Sequence, residues 1–181
     1  MRINAGKFRN HNIEMTNLET TRETSDKVRQ AIFNLIGQFF DGGVALDLFA
    51  GSGAMGFEAY SRGISKVYLN DINQKALDIC RANARKLKCE EDITFINKDF
   101  KDALEGLKGI KFDLIMLDPP YKMDDVDSML RIISDLDLLN EDGYITFEMN
   151  KDTKCSDIVG KYHIEKDRTY GIKRVVIYRG E

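Results

Sequence analysis

Val44-Ala45-Leu46-Asp47-Leu48-Phe49-Ala50-Gly51-Ser52-Gly53-Ala54-Met55-Gly56 decides the fold. The stretch begins as an apolar run of strand length, passes through paired glycines and continues as a helical pattern. Glycine lets the backbone turn tightly and come close to a ligand at the carboxyl end of a strand, so this is the opening of a βαβ unit. A strand is expected over residues 44–49 and a helix over 54–62, with Gly63 as its stop.

Working outward, the alternation continues. Upstream, Thr24 or Ser25 can cap a helix whose apolar stripe is Val28, Ala31, Ile32, Leu35, Ile36 and Phe39, stopped by Gly42-Gly43. Downstream, strands are expected at 66–71, 93–97, 112–117 and 144–149. Between them fall a helix begun by Asn73, a short one after residue 97, and one over 126–136. Such an order implies a parallel sheet with helices on both faces. Residues 163–168 and 174–178 flank Tyr170-Gly171 with no helix between them, and read as an antiparallel pair on the sheet edge. Residues 2–8 and 12–16 read as a small N-terminal β-hairpin. The expected class is therefore α/β, a doubly wound Rossmann-like sheet with a C-terminal antiparallel hairpin.

At 181 residues the chain is expected to form one domain, with 1–20 as an extension and 21–181 as the core. A hydrophobic content of 43% with 31% charged residues fits a globular protein, and no apolar run is long enough to span a bilayer. The start Met1-Arg2-Ile3-Asn4 has no apolar leader, so cytoplasmic residence is expected. Three cysteines without a CxxC, and two distant histidines, argue against a disulfide framework or a zinc site, so no metal is expected. Net charge is −3, yet residues 1–12 carry Arg2, Lys7 and Arg9 with no acid, and residues 161–179 carry six basic residues against two acidic. Basic ends around an acidic middle are compatible with one phosphate-binding face and equally with a solvated surface of mixed charge.

Four aspartates end successive strands: Asp47, Asp71, Asp99 and Asp118. In a doubly wound sheet those ends line one crevice. Gly51-Ser52-Gly53-Ala54-Met55-Gly56 also satisfies G-x-G-x-x-G, so a nicotinamide or flavin dehydrogenase enters consideration. Asp47 beside the loop would repel a pyrophosphate but suits a ligand carrying an amino group and a sulfonium. Asp71 can accept from ribose hydroxyls. Asp99 can accept from an adenine amine with Phe100 near the ring, or else cap a helix. Asp118-Pro119-Pro120-Tyr121 holds the chain's only two prolines. A rigid corner with a carboxylate on one side and an aromatic ring on the other suits an exocyclic amine on a flat base.

Asp47 to Gly53 together with Asp118 to Tyr121 resembles a class I S-adenosylmethionine-dependent methyltransferase acting on an exocyclic amine. Arg2-Ile3-Asn4-Ala5-Gly6-Lys7-Phe8-Arg9, the stretch from Arg22 to Asn34, and Leu46 to Gly63 resemble the RsmD-like family, bacterial guanine-N2 methyltransferases of small-subunit (16S) rRNA. Glu23 stands where that family usually has proline, and Asn10-His11 where Gly-Arg is common. The resemblance implies S-adenosylmethionine as cofactor, held by Asp47, Phe49, Gly51, Ser52, Gly53, Asp71, Ile72, Asp99 and Phe100. It implies a catalytic set of Asp118, Pro119, Pro120 and Tyr121, and RNA contacts at Arg2, Lys7, Arg9, Arg22 and Arg29. The implied partner is 16S rRNA or the small ribosomal subunit, with a monomeric enzyme and no membrane. The N-terminal segment is expected to be removable without loss of the core. Alternatives are an adenine-N6 methyltransferase on DNA or RNA, and a non-catalytic RNA-binding assembly factor.

Overall fold

The computed structural model describes residues 1–16, 25–120, 122–123 and 125–180. The first helix, α1 (Asp26–Ile36), is capped by Ser25, whose side chain accepts from the Val28 amide. The alternating segment follows as β1 (Val44–Asp47), α2 (Ala54–Ser61), β2 (Lys66–Asn70), α3 (Gln74–Leu87), β3 (Ile93–Ile96), α4 (Phe100–Gly106), β4 (Phe112–Leu117) and α5 (Val126–Asp135). The chain closes with β5 (Leu139–Asn150), β6 (Ile158–Val159), β7 (Tyr162–Tyr170) and β8 (Lys173–Gly180). One eight-stranded sheet results, in the order β3-β2-β1-β4-β5-β8-β7-β6. The first five strands pair in parallel, while β8 inserts antiparallel between β5 and β7. Among the described residues no helix is long and apolar enough to cross a membrane.

The sheet separates two apolar cores. One packs α1, α2 and α3 residues such as Ile32, Phe57 and Cys80 against Val67 and Leu69; the other packs Leu104, Leu130 and Ile133 against Leu46, Ile115 and Phe147. The strand order reverses between β1 and β4, so their carboxyl ends open a crevice there.

Three expectations are corrected. α1 stops at Gly37, whose φ of 111° an L-residue rarely adopts, and Phe39 beyond it is 65% exposed rather than part of the buried stripe. β5 starts five residues before the expected Tyr144, because Leu139 pairs with Phe112 ahead of a register shift. The N-terminal hairpin is present but shorter than expected: Arg2 bridges Asn12, and backbone bonds join Ile3 to His11 (3.0 Å), Asn10 to Ile3 (2.9 Å) and Ile13 to Met1 (2.9 Å).

The reason lies in where residues 4–8 send their amides. Asn4 and Ala5 donate to the Glu58 carboxylate (2.9 and 3.1 Å), Lys7 to the Ser61 carbonyl (2.9 Å) and Phe8 to the Ser61 hydroxyl (2.9 Å). The segment therefore bonds to the end of α2 instead of to a partner strand. Gly6 is the contact point: at φ 83°, a Cβ there would lie 1.8 Å from the Ser61 carbonyl oxygen. Ile3 and Ile13 are buried in the same core as α1 and α2. The segment is thus built into the core, against the expectation that it can be removed.

Candidate active site

The glycine turn is held from three sides. Asp47, buried at the end of β1, accepts from the Gly56 amide through Oδ2 (3.1 Å). Asp71, just past β2, accepts from the Gly51 amide through Oδ2 (2.9 Å) and from the Asn73 amide through Oδ1 (2.8 Å). Asn83 on α3 donates to the Ser52 carbonyl (3.0 Å), and the Cys80 thiol to the Gly51 carbonyl (3.1 Å). Gly53 has φ 84°, and a Cβ there would approach the Phe57 ring to 2.5 Å, so the tight turn into α2 requires glycine.

Beside this loop the crevice offers flat apolar surface. Ile72 follows Asp71 with 71% of its surface exposed. Phe49 and Phe100 pair at 6.0 Å between ring centres. Asp99 caps α4, Oδ1 accepting from the Lys101 amide (3.0 Å). Asn73 caps α3 as expected, which leaves the Asp71 carboxylate to face the loop. Among the described residues no three His, Cys, Asp or Glu side chains gather closely enough to hold a metal ion.

Past β4, Asp118, Pro119 and Pro120 wall an open cleft whose other side is built from the end of β5 and from Met123, Val126, Thr153 and Lys173. Sequence reasoning missed Glu148 in this cleft. It is 3% exposed, its Oε1 lies 2.7 Å from Lys173 Nζ, and its Oε2 has no hydrogen-bond partner among the described residues. A lone Glu inside an expected strand was the only available signal.

The expected RNA contacts are scattered. Arg2, Lys7 and Arg9 are exposed, but α2 runs from the glycine turn down to Ser61, so residues 4–8 sit at the end of the sheet away from the cleft. Eight residues of helix separate the two ends, about 12 Å. Lys7 Nζ lies over the Tyr60 ring at 3.6 Å. Arg29 is corrected outright: it is 1% exposed, bonded to Asp26 (2.7 Å) and paired with buried Glu58 (3.2 Å). Glu58 also takes the buried Arg62 (2.8 Å). A carboxylate removed from water has to be neutralised, and Arg29 serves that need rather than RNA. Arg22 and Tyr121 lie outside the described residues.

The family model described as "Conserved hypothetical protein 95" matches residues 1–179. YlbH of Bacillus subtilis (strain 168) is 35% identical, covering 99% of this chain and 98% of its own length. "Ribosomal RNA small subunit methyltransferase D" of Haemophilus influenzae is 30% identical over 99% and 93%. The solved structure of yhhF from Escherichia coli superposes with a TM-score of 0.85 over 100% and 98% of the two chains; at 22% identity it speaks for the methyltransferase fold alone. With that match running through both the N-terminal segment and the cleft, the chain belongs to the RsmD-like family.

Proposed function

We propose that this protein transfers a methyl group from S-adenosylmethionine to the exocyclic N2 of a guanine in small-subunit (16S) rRNA. The observation that carries the reading is one of adjacency. The Asp118-Pro119-Pro120 cleft opens at the end of β4, next to β1, whose end carries the glycine turn. The name of the Haemophilus relative supports both the methylation and the substrate class.

The residues present fit the cofactor. Exposed Ile72 and the Phe49–Phe100 pair offer surfaces for an adenine ring, and Asp71 keeps acceptor capacity for ribose hydroxyls beyond its two amide bonds. Gly51, Ser52 and Gly53 would lie along the methionine part, with Asp47 bracing the turn beneath them, and Asp99 would accept from the adenine amine. Bound there, S-adenosylmethionine supplies an electrophilic methyl group.

Guanine N2 is a poor nucleophile because its lone pair is delocalised into the ring. Asp118 and the Pro119 carbonyl accept its two hydrogens and so favour a tetrahedral nitrogen with a directed lone pair. The Asp118 carboxylate then stabilises the positive charge that develops on N2, and Asp118 or water takes the surplus proton. Proline at 119 and 120 keeps that carbonyl in place, and Tyr121 is assigned the stacking role against the extruded base. Lys122, Lys151, Lys154 and Arg168, all exposed around the cleft's rim or the hairpin beside it, supply phosphate contacts. Arg2, Lys7 and Arg9 would meet only an RNA that extends along the far end of the sheet. The test is to incubate labelled methyl donor with rRNA, small subunits and DNA and identify the methylated nucleoside. N2-methylguanosine from rRNA or subunits is expected, and N6-methyladenosine would overturn the assignment.

A further inference from the structure

Glu148 is an anomaly for a purely structural residue. It sits on β5 directly opposite Val175 on β8, with hydrophobic neighbours on both strands, and is 3% exposed. Burying a carboxylate is costly unless its charge and its lone pairs are satisfied. Lys173, itself only 18% exposed, balances the charge through Oε1 at 2.7 Å. Oε2 is buried and accepts nothing among the described residues. A buried acceptor without a donor in a native protein calls for an explanation, and a donor brought by a ligand is one. Glu148 and Lys173 both line the same cleft as Asp118 and Pro119.

We propose that Glu148 and Lys173 read the Watson–Crick edge of the target base and make the cleft selective for guanine. This rests on the reading that Asp118 receives guanine N2. Along that edge guanine presents the N2 amine, then the N1–H donor, then the O6 acceptor. The cleft offers a carboxylate and a carbonyl for N2, the orphaned Glu148 oxygen for N1–H, and the Lys173 ammonium for O6. Adenine would turn an N1 lone pair towards the Glu148 carboxylate, so it is rejected by repulsion as well as by the missing bond. Lys173 has a flexible stem and three donors, so it can swing from covering the carboxylate to bonding O6 while still balancing the charge. Glu148 therefore acts as a specificity residue, while Asp118 carries the chemistry.

2-Aminopurine is the discriminating probe, because it keeps the exocyclic 2-amine but lacks both N1–H and O6. The guanine methylated by the full-length protein is first mapped in 16S rRNA. RNAs carrying guanine or 2-aminopurine at that position are then compared for wild type, Glu148→Ala, Glu148→Gln and Lys173→Met. Cofactor titration confirms that each variant is folded, and Glu148→Gln keeps the side-chain shape if the alanine variant does not fold. Wild type should favour guanine over 2-aminopurine by about ten- to a hundredfold, the scale of one hydrogen bond to a charged group. Glu148→Ala should shrink that ratio towards one, slowing guanine by the lost N1–H bond and sparing 2-aminopurine the repulsion at N1; Glu148→Gln, whose amide oxygen still accepts but carries no charge, should shrink it part of the way. A Glu148 variant that slows both substrates equally, or keeps the wild-type ratio, overturns the inference and leaves the pair a strand-linking contact. Failure of wild type to methylate any guanine instead overturns the function proposed above.

Discussion

The Asp71 carboxylate accepts the Gly51 amide at 2.9 Å, tying the end of the second strand to the turn that leaves the first. One side chain thus shapes the glycine loop and presents an acceptor to the crevice. Asp71→Ala should weaken S-adenosylmethionine binding by ~1.5–3 kcal/mol, the scale of a lost hydrogen bond to a charged group. Asp71→Asn keeps an acceptor for the Gly51 amide and should lose less. Calorimetry finding unchanged affinity in the alanine variant would restrict Asp71 to bracing the loop.

Asp118→Ala should leave cofactor affinity within a few-fold and lower methyl transfer by roughly two orders of magnitude or more, because the lost contact is one made in the transition state. Single-turnover transfer measured beside cofactor binding separates the two effects. Near-normal turnover would remove Asp118 from the mechanism.

Deleting residues 1–13 should destabilise the core, because Ile3 and Ile13 leave it and Glu58 loses two amide donors. The two side chains alone correspond to on the order of 3–6 kcal/mol. Urea unfolding of the truncated protein measures this, and a midpoint equal to wild type would show the segment to be dispensable. By contrast, replacing Arg2, Lys7 and Arg9 together by Ala should leave stability near wild type, since all three are exposed. If they touch phosphate, each lost contact lowers the salt slope of rRNA binding by roughly one.

Arg29→Ala should cost about 3–5 kcal/mol, because it leaves the fully buried Glu58 with Arg62 as its remaining cation. The variant that still folds at low temperature should bind rRNA with an unchanged salt slope. A reduced slope would return Arg29 to the RNA surface.

Burial pushes the Cys89 thiol from its ordinary 9.0 up to about 11, with Lys7 pulling the other way and Asp92 adding to the rise. The folded state keeps its proton while the unfolded chain loses it. Stability from this group is therefore complete below pH 9.0 and declines as pH rises from there through about 11. Chemical denaturation across that window should show a falling limb that Cys89→Ala makes shallower. In the native protein at pH 8, thiol reagents should reach half-buried Cys155 well before Cys80 or Cys89.

By itself the sequence determined the alternation of strands and helices, the glycine turn, the Asn73 cap and the proline corner after β4. Each is a local signal: an apolar period, a backbone conformation only glycine tolerates readily, or a residue that cannot donate to a ladder. Tertiary structure decided what charged residues far apart in the chain do to one another. Arg29 looked like a basic residue on a helix beside an RNA-like N-terminus, yet packing α1 over α2 sets it on Glu58 and removes it from solvent. Residues 2–8 carried a strand-like pattern, yet only Ile3 donates to a partner segment, while α2 accepts the amides of Asn4, Ala5, Lys7 and Phe8. Glu148 and Lys173 met only because β8 returns antiparallel beside β5, a register that no window of either segment contains. Desolvating a charge forces it to find a partner, and which partner is within reach depends on how the elements pack rather than on their order along the chain.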